Sequence, residues 1–173
     1  MNKRWNKFLF SEAIKILDPS PEKVIVELGA SRDLKPVAEM ADGWSTKKWA
    51  NTSCEVHCVD PDPKAIAVSK QLAGDSVNYH CCGGMEFLNS FGKVIDLLYL
   101  DGPDADKNGQ EFSAAALLAA PMNDYAVILI DDCDLWPSRW AGRGKGELAL
   151  PIALELGFHV HKDNDRQVLL WRR

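Results

Sequence analysis

The sequence has no apolar run approaching the roughly 20 residues that a bilayer-spanning helix needs, so neither a membrane span nor a membrane partner is expected. Its first seven residues, Met-Asn-Lys-Arg-Trp-Asn-Lys, are basic, but no apolar core region follows them, and a secretory signal is not predicted. An excess of positive charge is missing too. Lysine and arginine number 20 against 25 acidic residues, a net charge of −5, which argues against nucleic acid as a main partner because phosphate binding needs clustered cations. The five cysteines lack zinc-site spacing: Cys54 and Cys58 are separated by three intervening residues with no second pair in register. They read as small buried hydrophobes of a chain kept in a reducing, cytoplasmic compartment. The Gly-x-Gly-x-x-Gly turn of dinucleotide-binding folds is also absent, since Gly29 is followed by Ala30-Ser31-Arg32-Asp33.

What is present points to one domain over residues 1–173, with 46% apolar and 26% charged residues in the range of ordinary globular proteins. The organising stretch is 23–29, Lys-Val-Ile-Val-Glu-Leu-Gly. A short continuous apolar run that ends in a carboxylate and a glycine is the pattern of a buried parallel strand entering a ligand-binding turn. Glycine there permits a positive φ and a close approach to a ligand.

The remainder repeats that theme. An amphipathic helix over 5–17 is stopped by Asp18-Pro19-Ser20-Pro21, so residues 1–21 read as a covering helix. Residues 30–42 form an insertion that splits the glycine-rich turn, with Gly29 before it and Gly43-Trp44-Ser45-Thr46 after it. Ser45 or Thr46 is the expected cap of a short helix. Further strands are predicted at 55–59, 77–82, 94–100 and 125–130, alternating with helices at 63–72, 85–91, 111–120 and 146–156. A final hairpin pairs 158–161 with 167–171. Strand and helix alternate throughout, so the expected class is α/β: a Rossmann-like, doubly wound, mainly parallel seven-stranded sheet with a C-terminal antiparallel hairpin.

Four of the five parallel strands end in acid: Glu27, Asp60, Asp101, and Asp131 with Asp132. One acidic tip reads as a helix cap, and Asp62 before Pro63 fits that role, leaving Asp60 for a ribose, whose two hydroxyls donate to one carboxylate. Four acidic tips on one rim point to a site, because ligands of such sheets lie beyond the carboxyl ends of the strands.

The order of these tips resembles the class I S-adenosylmethionine-dependent methyltransferases, and among them the small O-methyltransferases of the catechol and caffeoyl-CoA type and related bacterial families. The resemblance rests on Val-Glu-Leu-Gly at 26–29, Gly-Trp-Ser-Thr at 43–46, Val-Asp-Pro-Asp at 59–62, Ile-Asp-Leu-Leu-Tyr-Leu-Asp-Gly at 95–102 and Val-Ile-Leu-Ile-Asp-Asp at 127–132. It implies O-methyl transfer from S-adenosylmethionine to a small hydroxylated acceptor. The cofactor-binding residues it implies are Glu27, Gly29, Ala30, Gly43, Ser45, Asp60, Pro61, Gly83, Gly84 and Asp101. It also implies a catalytic set of Asp101, Asp104 and Asp131. In metal-dependent relatives the equivalents of Asp101, Asp131 and Asp132 hold a divalent ion, so Mg²⁺ is the metal implied here. Where relatives have a histidine after the fourth strand, this chain has Pro103 and Asp104.

Three carboxylates at one point repel, and a cation or a proton must relieve that repulsion. Other readings stay open at this stage: a non-catalytic relative that binds the cofactor, or a nicotinamide-dependent oxidoreductase on a similar fold. His57 and His80, inside strands, read as packed. His159 and His161 read as a solvated sheet face or a metal pair. Trp136, Arg139, Trp140, Arg143 and Lys145 form a basic, aromatic loop, read either as an acceptor site or as an exposed loop. Whether the chain is a monomer or a homodimer is not legible.

Overall fold

The structure is a computed structural model, and it describes residues 8–34, 44–103, 106–133, 144–164 and 166–173. Among the described residues seven strands form one sheet: β1 Val24–Leu28, β2 Glu55–Val59, β3 Val77–His80, β4 Ile95–Leu100, β5 Met122–Ile130, β6 His159–Asp163 and β7 Val168–Trp171. Their order across the sheet is β3-β2-β1-β4-β5-β7-β6. β1 to β5 run parallel, while β7 is antiparallel to both β5 and β6. The expected class and C-terminal hairpin are what the structure shows.

Helices α1 Phe10–Leu17, α2 Ser45–Ala50 and α3 Pro63–Ala73 cover one face. On the other lie α4 Gly84–Ser90, α5 Lys107–Ala119 and α6 Gly146–Glu155. Alternation within the strands decides which side chains meet which layer. Val24, Val26 and Leu28 join Phe87, Leu117 and Leu150, whereas Ile25 joins Phe10, Leu17, Trp49 and Tyr99. The central strands β1 and β4 are buried along their whole length, which is why they read as apolar runs broken only at Glu27 and Asp96. Among the described residues no helix is long and apolar enough to cross a membrane.

Several local expectations need correcting. α2 is capped at Trp44 with no side-chain hydrogen bond, so neither Ser45 nor Thr46 is the cap; both are buried in the first turn. α5 begins at Lys107 rather than 111, because the Asp106 carboxylate accepts from the N–H groups of Asn108 and Gly109 and so tolerates a glycine in the first turn. β5 begins at Met122, where polar residues extend the ladder beside Ile95. β3 stops at His80, which leaves Cys81 exposed and Cys82 half-buried, whereas Cys54, Cys58 and Cys133 are buried; all five are free thiols. The Asp62 cap on α3 is as expected, its carboxylate accepting from Lys64 N–H at 2.9 Å.

Candidate active site

The register of the sheet puts the acidic tips in one row. Leu28 is level with Val59 on one side and Leu100 on the other, and Leu100 is level with Ile130. One residue further on, Asp60, Gly29, Asp101 and Asp131 therefore lie side by side. The ladder continues through them: Gly29 N–H donates to the Val59 carbonyl, Asp101 N–H to Leu28 and Asp131 N–H to Leu100. This is the switch point, where β1 has β2 on one side and β4 on the other and the two halves of the sheet wind in opposite directions.

Gly29 is fixed by the crowding at that point. Its φ is +107°, and a Cβ there would lie 2.1 Å from the Asp101 carbonyl oxygen. No other residue fits without moving a strand. Gly84 and Gly102 meet a similar limit: a Cβ on either would come within 2.7 Å or 2.6 Å of the Phe112 ring. Gly83, by contrast, caps α4 in an extended conformation with room around it.

Glu27 points from β1 toward the α2 and α3 layer and is fully buried. Neither carboxyl oxygen has a hydrogen-bond partner, although the hydroxyls of Ser45 and Thr46 and the Cys58 thiol face it. Loss of hydration pushes its pKa up to about 7; the two hydroxyls oppose that and the charge of Asp101 adds to it. A buried carboxyl with two unused oxygens is an acceptor waiting for donors.

Asp60 has a different environment. Its Oδ2 accepts from Ala30 N–H at 2.9 Å and its Oδ1 from Asp62 N–H at 2.8 Å, so the carboxylate is held rigid across the turn that follows β1. Each oxygen keeps a further lone pair. Ala30 and Pro61 flank this anchored group.

At the tips of β4 and β5 the three aspartates meet two cations that belong to the protein. Lys145 Nζ lies 3.0 Å from Asp101 Oδ1 and 3.0 Å from Asp132 Oδ2. Arg166 Nε lies 3.1 Å from Asp131 Oδ1, and its Nη2 lies 3.4 Å from Asp132 Oδ1. Tyr99 donates from its hydroxyl to Asp131 Oδ2 at 2.7 Å. Asp132 sits at φ +48°, in the left-handed region, where its N–H reaches Asp131 Oδ1. Burial raises the pKa of Asp101, with Asp131 and Asp132 adding to the effect and Lys145 opposing it. Burial works against the Lys145 charge, but the carboxylates of Asp101, Asp132 and Asp131 outweigh it and hold the ammonium protonated.

This arrangement decides how well a divalent metal fits. Mg²⁺ needs free oxygen ligands in near-octahedral order, and here both oxygens of Asp131 and of Asp132 and Oδ1 of Asp101 are engaged by Lys145, Arg166 and Tyr99. Among the described residues no cluster of three His, Cys, Asp or Glu side chains is arranged to hold a metal. The residues do not fit the ion.

Arg166 carries no signal in the sequence, and Tyr99, inside the 95–102 motif, is given no role of its own by it. Lys145 lies in the basic loop, but its side chain is 3% exposed and turned inward, which departs from both an exposed loop and a free acceptor site. Asp104, Gly43 and the loop residues Trp136, Arg139, Trp140 and Arg143 lie outside the described residues. The histidines behave as packed groups. His57 Nδ1 meets His80 Nε2 at 3.0 Å, His57 Nε2 meets Glu55 Oε1 at 2.9 Å, and the rings pack on Phe87 and Phe91. His159 and His161 lie on the exposed β6 strand. A recess at the opposite, amino-terminal edge of the sheet is lined by Glu22, Glu55, Lys93 and Asp96 among others. Its charges are paired, Lys93 with Glu55 and Asp96 with Val24 N–H and Asn123, so it lacks the unpartnered groups found at the carboxyl rim.

No protein-family model matches the sequence, and neither does any curated protein. Solved structures do match. The N-methyltransferase NodS from Bradyrhizobium japonicum WM9 superposes with a TM-score of 0.64 at 14% identity, over 95% of this chain and 93% of that one. NodS has also been solved in complex with S-adenosyl-L-homocysteine. A methyltransferase from Geobacter sulfurreducens matches with a TM-score of 0.65 at 15% identity, over 99% of this chain and 79% of that one. An rRNA methylase from Streptococcus thermophilus matches with a TM-score of 0.64 at 13% identity, over 96% and 98%. The chain has the fold of the class I methyltransferases.

Proposed function

We propose that the chain is an S-adenosylmethionine-dependent methyltransferase that methylates a hydroxyl of a small acceptor. The observation that carries this reading is Glu27, a fully buried carboxyl with both oxygens unpartnered, two residues before Gly29 on the strand next to β2, whose tip carries the anchored carboxylate of Asp60. The cofactor's α-ammonium and sulfonium are cations, its ribose offers two hydroxyl donors, and these two carboxyls match that set.

In this reading Glu27 and Gly29 face the methionine part, with Ala30 and Ser45 around it; Gly43, which lies outside the described residues, is assigned to the same part. Asp60, next to Pro61, accepts from the ribose hydroxyls; Gly83 and Gly84 lie toward the adenine, and Asp101 stands near the sulfur. When bound, the cofactor supplies an electrophilic methyl group. The protein's part is to hold the acceptor oxygen in line with that methyl, exclude water and provide a negative field for the sulfonium. In this reading Asp101 and Asp131 face the acceptor, and Asp104, which lies outside the described residues, is the residue assigned to receive the hydroxyl proton. The acidic rim and the net charge of −5 support a small molecule rather than nucleic acid as acceptor, although an rRNA methylase shares the fold.

The test is transfer of a labelled methyl group from S-adenosylmethionine to a panel of hydroxylated small molecules, run beside Asp60→Ala. Label in product with the parent chain and little with the variant supports the reading. Cofactor binding without transfer to any acceptor favours a non-catalytic relative.

A further inference from the structure

A positive charge already stands where three carboxylates converge at the tips of β4 and β5. The Lys145 ammonium bridges Asp101 and Asp132, each at 3.0 Å, while Arg166 holds Asp131 and Asp132 from the other side. Three carboxylates against two cations leave one net negative charge, too little to draw a dication past an ammonium that must first be expelled. Lys145 is also fixed from the backbone. Its N–H donates to the Asp132 carbonyl. It lies between Gly144 at φ +52° and Gly146, where a Cβ would stand 3.0 Å from Cys133 Sγ. It is not a surface lysine that has swung inward. Asp101 and Asp132 keep 26% and 30% of their side-chain surface, so the two carboxylates, though not the lysine at 3%, reach the surface of the rim.

We propose that the Lys145 ammonium is the resident cation of this cleft, standing in place of a divalent metal, and that it positions Asp101 and Asp132 beside the acceptor hydroxyl, so that methyl transfer runs without a metal ion. The last clause rests on the methyltransferase reading above; the occupation of the carboxylates by lysine does not. An ammonium has three N–H groups. Asp101 and Asp132 take two, and because the lysine is only 3% exposed its charge acts on the acceptor through the two carboxylates it holds rather than by contact. A fixed positive charge behind those carboxylates offsets the negative charge left on the acceptor oxygen when the hydroxyl proton passes to Asp104, the residue assigned to it above.

Mn²⁺ is a suitable probe, titrated into the full chain and followed by its electron paramagnetic resonance signal and by thermal unfolding. The parent chain and Lys145→Arg should show no saturable binding. Lys145→Met, which vacates the carboxylates, should gain affinity by at least about tenfold, with a midpoint that rises as Mn²⁺ is added. Asp101→Asn combined with Lys145→Met should lose the gain. Saturable binding to the parent chain overturns the proposal. So does a folded Lys145→Met that gains nothing, or a gain that persists in the double variant. Should Lys145→Met fail to fold, the parent chain and Lys145→Arg decide alone: no binding in either supports the proposal, and binding in either overturns it. S-adenosylhomocysteine titrated into the parent chain with chelator present separates the two readings. Its failure to bind removes the methyltransferase reading and leaves the Mn²⁺ result to judge Lys145.

Discussion

Replacing Glu27 by glutamine keeps the side chain's shape and removes its ability to ionise. In the fold burial raises the Glu27 pKa from its ordinary 4.5 to about 7. Between those values the folded protein holds a proton that the unfolded chain has released, so stability falls as pH rises through the window. The full shift corresponds to about 3 kcal/mol, of which about 2–3 kcal/mol is lost between pH 5 and pH 8. The glutamine variant is spared this loss. For a chain of this size that is a difference of about 5–10 °C in midpoint. The assay is thermal unfolding of both proteins across the pH range without ligand. Asp101 titrates in both and largely cancels in the comparison. The variant's advantage should be small at pH 5 and grow steadily to pH 8. A difference between the two that does not change with pH would refute the claim that Glu27 is buried without donors.

Other consequences can be checked singly. Gly29→Ala forces a Cβ against the Asp101 carbonyl at a positive φ and should lower the stability measured in urea by more than about 3 kcal/mol, or prevent folding. Asp60→Ala removes a carboxylate that accepts two backbone N–H groups and, in the proposed role, a ribose; S-adenosylhomocysteine affinity by calorimetry should fall about 10–100-fold. Tyr99→Phe leaves Asp131 Oδ2 without its buried donor and should cost about 1–3 kcal/mol in denaturant unfolding, an effect absent if the tyrosine only fills space.

The sheet and its tips were legible because the chemistry is local. An apolar run that stops at an acid or glycine marks a buried parallel strand and its mouth, and Asp62 before Pro63 announces a helix start within three residues. The row formed by Asp60, Gly29, Asp101 and Asp131 followed from those tips and parallel order alone. What stayed hidden depends on distant partners. Lys145 neutralises Asp101 from 44 positions away, Arg166 reaches Asp131 across 35, and Tyr99 looks like one more apolar residue in a buried run. The sequence raised the question of what relieves three converging carboxylates and left a cation or a proton open, with a metal implied only by the resemblance; the fold shows two of the protein's own cations in place. Gly109 hid the start of α5 for a related reason, since the Asp106 cap that offsets it is visible only as a hydrogen bond.

The central claim is that the rim of β1 and β2 seats S-adenosylmethionine on Glu27 and Asp60, and calorimetric titration with S-adenosylhomocysteine at pH 6 and pH 8 tests it most directly. If the bound ligand's ammonium requires Glu27 ionised, affinity should rise about tenfold over that interval given a pKa of about 7, and the rise should vanish in Glu27→Gln. NAD and NADP should give no heat. Absence of S-adenosylhomocysteine binding, or a pH dependence that survives in Glu27→Gln, would contradict the account.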